Sequence, residues 1–391
     1  MRRGTRGFSS SIDCSAPPYG NGRTLASIVA AGMLAWASFG SVTRAEDGSK
    51  PPVAIRQETP LGMRIRMPGK SHQGPLPALT ATQAALRDAL QRDVVRLAGG
   101  IGERNVREAR NYALAAHFIE RSLAKAGYQV QRQIFSADER ECVNLEVELA
   151  GAGRAGEVIV LGAHYDSAQG TPGANDNATG VAALLALARS FVTTKPDRSL
   201  RFVFFANEEM PYFKTAKMGS VVYARRCKAR EEKIVGMISL ETMGYYSDAK
   251  NSQNYPPPFD LFYPTTGNFI GFVGNVKSRT LVETCVASFR RHARFPSEGG
   301  ALPGVVEGVG WSDHWSFWQV DYPALMVTDT APFRYPHYHR ASDTPDKVKY
   351  DRMARVVEGV QAVVRDIANP PAKLAEPDMD SATSGATRTN E

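Results

Sequence analysis

Cysteine is scarce, with four in 391 residues. Cys14 falls in the leading segment, and Cys142, Cys227 and Cys285 are widely spaced and odd in number. No disulfide framework or thiolate metal motif can be read from such a set, and buried free thiols are expected. The chain also lacks the interleaved basic and aromatic residues that would argue for nucleic acid, and it has no internal repeat. A strong charge imbalance is missing too. The formal net charge of +7 falls to +3 once residues 1–45, with five arginines and one aspartate, are set aside. What is present is 43% hydrophobic and 22% charged, the profile of a soluble globular protein with a sizeable core.

The first 45 residues differ in kind. Arg2, Arg3, Arg6 and Arg23 precede the apolar run LASIVAAGMLAWASF (Leu25 to Phe39), which is followed by GSVTRAED. Basic, apolar and small-residue regions in that order read as a secretory signal cleaved after Ala45. The run is short for a membrane span. A periplasmic or secreted protein is expected, the alternative being an uncleaved anchor through residues 25–42. Residues 46–80 read as an extended arm rich in Pro, Gly and charge. Residues 81–369 read as one catalytic domain. The stretch 370–391 has no apolar periodicity and reads as a disordered tail.

Within the domain, Leu86, Leu90, Val94 and Leu97, then Leu114, Phe118, Ile119 and Leu123, recur at helical spacing. This predicts two helices, broken at GGIGERN. Three strands are then expected at YQVQRQIF, VNLEVELA and VIVLGA, the last continuously apolar and so covered on both faces. Beyond it, TGVAALLALARSF reads as helix, LRFVFFA as strand, MGSVVYARRC as helix and IVGMISLE as strand. FIGFVGN, a helix from Arg279 to His292, YPALMVTDT and a helix from Asp351 to Ile367 complete the series. Alternating strands and helices predict a layered α/β fold around a largely parallel sheet. Such sheets bind ligands beyond the carboxyl ends of their strands.

Those ends are rich in ionisable groups. VIVLGA runs directly into His164 and Asp166, and a loop with Gly170 and Gly173 leads on to Asp176. The next two buried strands end near Glu208 and Glu209, and at Glu241. Carboxylates converging without cations would repel and raise one another's pKa values. The arrangement therefore calls for a strong positive charge, and imidazole with carboxylate is the ligand chemistry of zinc and its neighbours. PHYHRASDTPD offers a second imidazole, His337 or His339. Asp176 is placed to bridge two ions.

Taken in order, HYDS, GANDNATG, NEE, SLETMGY, SDHWSFW and HYHRASDTPD resemble the dinuclear zinc aminopeptidases, the family of secreted bacterial leucine aminopeptidases and glutamate carboxypeptidases. The resemblance runs from Asp93 to Ala368. It implies a three-layer α/β sandwich, with a mixed, largely parallel central sheet and helices on both faces, that holds two zinc ions. It further implies His164 and Glu241 as ligands of one ion, Glu209 and His339 as ligands of the other, and Asp176 as the bridge. His339 is preferred to His337 because it stands four residues before Asp343. Glu208 matches the general base, and Asp166 an acid that orients the His164 ring. Two departures stand out. Glu241 occupies a place where many members carry aspartate, and MPYFKTAKMGS after Glu209 is longer than usual and is expected to line the substrate cleft.

The implied activity is hydrolysis of the first peptide bond of peptide substrates. Ser312, Asp313 or His314 are candidates to hold substrate. Tyr212, Phe213, Tyr245, Tyr246 and the aromatics of PPPFDLFYP are candidates for an apolar pocket favouring neutral or apolar first residues. Two rivals remain: a glutaminyl cyclase-like enzyme with one zinc, and a catalytically silent binding domain of the same fold.

Overall fold

The computed structural model describes residues 62–370. The signal or anchor, residues 46–61 of the arm and the tail from residue 371 lie outside the described residues. Among the described residues no helix is long and apolar enough to cross a membrane.

Thr80 opens the first helix, α1 (Ala81–Val94), through a reciprocal capping box with Gln83. A wider turn, Val95–Ile101, follows and stops at Gly102, whose φ is 85°. The second helix, α2 (Ala109–Lys125), begins beyond it, so the expected break falls where GGIGERN places it. The chain continues through β1 (Gln131–Ala137), β2 (Arg140–Leu149), β3 (Arg154–His164), α3 (Gly180–Phe191), β4 (Arg198–Phe205), α4 (Gly219–Ala229) and β5 (Lys233–Glu241). It ends with β6 (Ile270–Asn275), α5 (Arg279–His292), β7 (Ser297–Leu302), α6 (His314–Trp318), β8 (Ala324–Thr328), α7 (Ala331–Arg334) and α8 (Tyr350–Ala368).

One eight-stranded sheet has the order β1-β2-β4-β3-β5-β8-β6-β7. Pairs β3–β4, β3–β5, β5–β8 and β6–β7 are parallel, and β1–β2, β2–β4 and β6–β8 antiparallel. The sheet is mixed and largely parallel, as expected. The continuous apolar run of β3 has the expected cause, because its alternate residues enter two cores. Ile159, Leu161 and Ala163 pack with Leu184 of α3, Phe289 of α5 and Val360 of α8. Val158 and Val160 pack with Tyr223 of α4 and Phe317 of α6. Helices thus cover both faces. Cys142, Cys227 and Cys285 are free and buried.

Three elements escape the sequence reading, among them α7, which is only four residues long. The edge strand β7 is SEGGAL, too glycine-rich to show an apolar pattern, and α6 is only five residues long.

Candidate metal centre

Three adjacent parallel strands deliver the ionisable groups to one place. His164 is the last residue of β3, opposite Phe205 at the end of β4, and Glu241 is the last residue of β5. Glu208 and Glu209 follow β4 through Asn207, whose φ is 57°. All of these side chains are buried.

Asp176 is brought in by the loop between β3 and α3. That loop turns at Gly173, where φ is 59° and an added Cβ would lie 2.3 Å from the carbonyl oxygen of Asp176, so only glycine fits. Asp343 clamps its far side, accepting the backbone N–H of Asn175 at 2.8 Å and of Asp176 at 3.1 Å while Tyr335 donates its hydroxyl at 2.7 Å. Asn177 completes the attachment to β5, donating to the Leu240 carbonyl and accepting from the N–H of Gly180 and Thr242.

The result is two donor triads that share one residue: His164, Asp176 and Glu241, and Asp176, Glu209 and His339. His164 Nε2 lies 3.3 Å from Asp176 Oδ1 and 3.2 Å from Glu241 Oε2. His339 Nε2 lies 3.0 Å from Asp176 Oδ2 and 3.3 Å from Glu209 Oε2. His337 stands apart and faces the Ser342 hydroxyl at 2.9 Å. Glu208 reaches to 3.8 Å from His164 Nε2 without joining either triad. Asp166 sits behind them, accepting the backbone N–H of Glu208 and Glu209 at 3.1 and 3.0 Å and facing His164 Nδ1 at 3.4 Å.

The electrostatics of this pocket demand positive charge. Burial, with Glu241, Glu209 and Asp313 nearby, pushes the Glu208 carboxyl well above its usual range, and burial pushes Glu241 up to about 7. His339 is pulled down by burial, but the Glu209 and Asp176 carboxylates outweigh that and hold it up to about 11. His164 is raised in the same way, chiefly by Glu241 and Glu208 against its own burial. Both ring nitrogens of His164, Asp176 Oδ1 and Glu209 Oε1 are buried without a hydrogen-bond partner. Orphaned polar atoms of this kind are costly. Nitrogen and oxygen donors facing one another around two points fit a pair of divalent ions of the zinc type.

Of the other candidates, Ser312 touches the site, donating to Glu241 Oε2 at 2.7 Å. Asp313 is buried with neither carboxylate oxygen hydrogen-bonded. His314 bonds the Val309 carbonyl, and burial pushes its pKa down to about 4. The insertion after Glu209 brings Lys214 near Glu208, whose charge partly offsets the lowering of the lysine's pKa by burial. Its Tyr212 bonds Asp138 of the β1–β2 turn, and none of its residues lines the cavity beside Glu241. That cavity, about 840 Å³ measured with its open mouth, is walled by Tyr255, Phe259 and Tyr263 of the proline- and aromatic-rich segment, together with Phe269, Trp311 and Phe333. Tyr246 is instead packed on Phe295.

Sequence reasoning missed Arg104. Fully buried in the break before α2, it donates to the carbonyls of Tyr165, Gly102, Pro172 and Gly173, which fixes the loop that carries Asp176. Burial lowers its pKa to about 10, partly offset by Asp343, Asp166 and Asp176. A single arginine in a polar break reads as solvated, so no local signal marks it.

Strand ends and neighbouring loops that gather two imidazoles and three carboxylates into two candidate metal sites, on a doubly covered α/β sheet, are the arrangement of a metallopeptidase. The chain belongs to peptidase family M28, whose description matches residues 144–364. It is 36% identical over 282 residues to the uncharacterized protein YfbL of Escherichia coli K12, covering 70% of this chain and 86% of that one. It is 25% identical over 232 residues to leucine aminopeptidase 1 of Arthroderma otae, covering 55% of this chain and 56% of the relative, so it spans about half of that protein's length. Its fold is similar to the aminopeptidase from Aneurinibacillus sp. strain AM-1, with a TM-score of 0.57 at 17% identity over 76% of this chain and 97% of that one.

Proposed function

We propose that the protein is an aminopeptidase that hydrolyses the first peptide bond of peptides, with Glu208 as its general base. The observation that carries this reading is the pair of triads joined at Asp176 with an unligated, buried carboxylate beside them. His164, Asp176 and Glu241 would hold one zinc ion and Asp176, Glu209 and His339 the second. When bound, the ions supply the Lewis acidity that activates water and polarises the scissile carbonyl.

Glu208, buried and 3.8 Å from His164 Nε2, takes the proton of the attacking water and returns it to the departing amine. Asp166 holds the backbone of Glu208 and Glu209 and faces the His164 ring, so it acts by positioning. Ser312 donates to one Glu241 oxygen and so fixes the orientation of that carboxylate. The glutaminyl cyclase alternative needs one ion. A second complete triad, with His339 facing Asp176 and Glu209, favours the two-ion reading.

The test is Glu208→Gln. The variant is expected to bind zinc at the wild-type stoichiometry while kcat falls by about 10²- to 10⁴-fold. Turnover within a few-fold of wild type, measured on aminoacyl amides with metal content determined in parallel, would remove Glu208 from the role. Release of ammonia from amino-terminal glutamine without chain shortening would replace peptidase by cyclase.

A further inference from the structure

The cavity beside the candidate metal centre is lined mainly by apolar surface, yet carboxylates stand in its wall. Glu241, Glu298 and Glu307 line it, and no lysine, arginine or histidine does. Its geometry follows from strand register. Glu241 of β5 pairs with Thr328 of β8, Thr328 with Gly271 of β6, and Gly271 with Glu298 of β7. The four residues form one row across the sheet, and all of them line the cavity. Gly271 leaves the middle of that row open because it has no side chain. Thus a ligand of the metals stands at one end of a channel and a second carboxylate at the other.

Glu298 is placed to accept a cation. Among the described residues its carboxylate makes no hydrogen bond, and its one ion-pair neighbour is Arg290, at 3.7 Å. That guanidinium is committed elsewhere, donating to the carbonyls of Met67, Pro68, Gly69 and Ser297 and to the Ser297 hydroxyl. Burial raises the Glu298 pKa against the pull of Arg290, the mark of a carboxylate short of positive partners. The walls between, with Tyr255, Phe259, Tyr263, Trp311 and Phe333, suit an aliphatic stem and offer ring surface to a cation, whereas the Phe269 ring is already covered by the Arg334 guanidinium at 4.4 Å.

We propose that this cavity receives the side chain of the substrate's first residue and that Glu298 selects a cationic one, lysine or arginine. The assignment rests on the aminopeptidase reading above and departs from the neutral or apolar preference expected from the sequence. Length supports it. Three strand spacings separate Glu241 from Glu298, about 14 Å at roughly 4.8 Å each. An extended lysine or arginine, about 6–7 Å from Cα to its charged end, covers about half of that span and leaves the remainder to the substrate's main chain and the Glu298 side chain.

The experiment compares kcat/KM of the zinc-loaded protein for lysyl, arginyl, norleucyl and leucyl amides of one leaving group, before and after Glu298→Gln. Norleucine keeps the lysine stem without its ammonium. The wild type is expected to favour lysyl over norleucyl by at least tenfold, and Glu298→Gln to reduce that ratio by about 10- to 100-fold, the size of one charge-assisted hydrogen bond. The change should lie mainly in KM, with Glu298→Asp intermediate. A wild-type ratio near or below one overturns the inference, and this measurement stands even if the variants do not fold. An unchanged ratio in a folded Glu298→Gln protein also overturns it. In both cases cleavage of leucyl amide leaves the aminopeptidase reading intact, whereas failure to release any amino acid from any of the four substrates sinks both.

Discussion

His339 illustrates what the pocket does to a single ionisable group. Its side chain is 39% exposed, yet Glu209 and Asp176 hold its pKa up to about 11. Near neutral pH the metal-free site therefore keeps protons on its imidazoles, and burial favours keeping one on Glu208 as well. Incoming dications must displace those protons from the ligating nitrogens. The sign follows directly: acid stabilises the metal-free form, so zinc affinity should fall as pH drops, by about tenfold per pH unit for each proton released. Competition titrations with a chelating dye between pH 6 and 8 check this, and a pH-independent affinity would contradict the protonated metal-free site. His164, Asp176, Glu208, Glu209 and Glu241 were legible in the sequence because they follow buried strands or a glycine-bearing loop, where an unpaired charge is hard to tolerate. The choice between His337 and His339 was not legible from residue chemistry. It came from the resemblance, and the structure puts only His339 beside Asp176 and Glu209.

At the scale of elements, β3, β4 and β5 could be read in advance because apolar residues on both faces leave an unbroken run. In β7 the signal vanishes because its glycines answer to neighbours remote in sequence. A Cβ at Gly299 would lie 2.8 Å from Met67, and one at Gly300 would lie 2.8 Å from the Tyr263 hydroxyl. For the same reason the role of Glu298 was invisible, since it depends on a register across four strands. The loop from β3 to α3 poses a related problem: its shape is dictated by Arg104, some 60 positions earlier. Replacing Arg104 by methionine would leave the carbonyls of Tyr165, Pro172 and Gly173 without their donor. We expect a loss of at least about 3 kcal/mol in urea unfolding, together with weaker zinc binding as Asp176 loses its fixed position. Arg104→Lys should recover little, because one ammonium cannot span the fork that the guanidinium fills. Near-complete recovery by lysine would show that charge alone, and not the fork, holds the loop.

For the molecule as a whole, the described part of the amino-terminal arm forms part of the cavity's structure. Arg64 and Ala301 exchange backbone hydrogen bonds, each 2.9 Å, so the arm adds an antiparallel bridge to the free edge of β7. Met63 is buried with Phe259, Leu302 and Val309, three residues that also line the cavity. Further along, Arg290 of α5 gathers three arm carbonyls, and the Ser71 hydroxyl accepts the N–H of Ser297. The arm thus covers an exposed strand edge and backs one wall of the cavity, some distance from the triads. Met63→Ala should accordingly cost about 2–4 kcal/mol of stability. Because the lost contacts lie on the cavity side, KM should rise several-fold for substrates with long first side chains and hardly at all for alanyl amide. Zinc content and kcat should stay near wild type, since neither triad receives a residue from the arm. Thermal unfolding with steady-state kinetics on alanyl and lysyl amides separates the effects. A stability loss with equal KM changes for both substrates would mean that the arm braces the sheet edge without shaping the cavity.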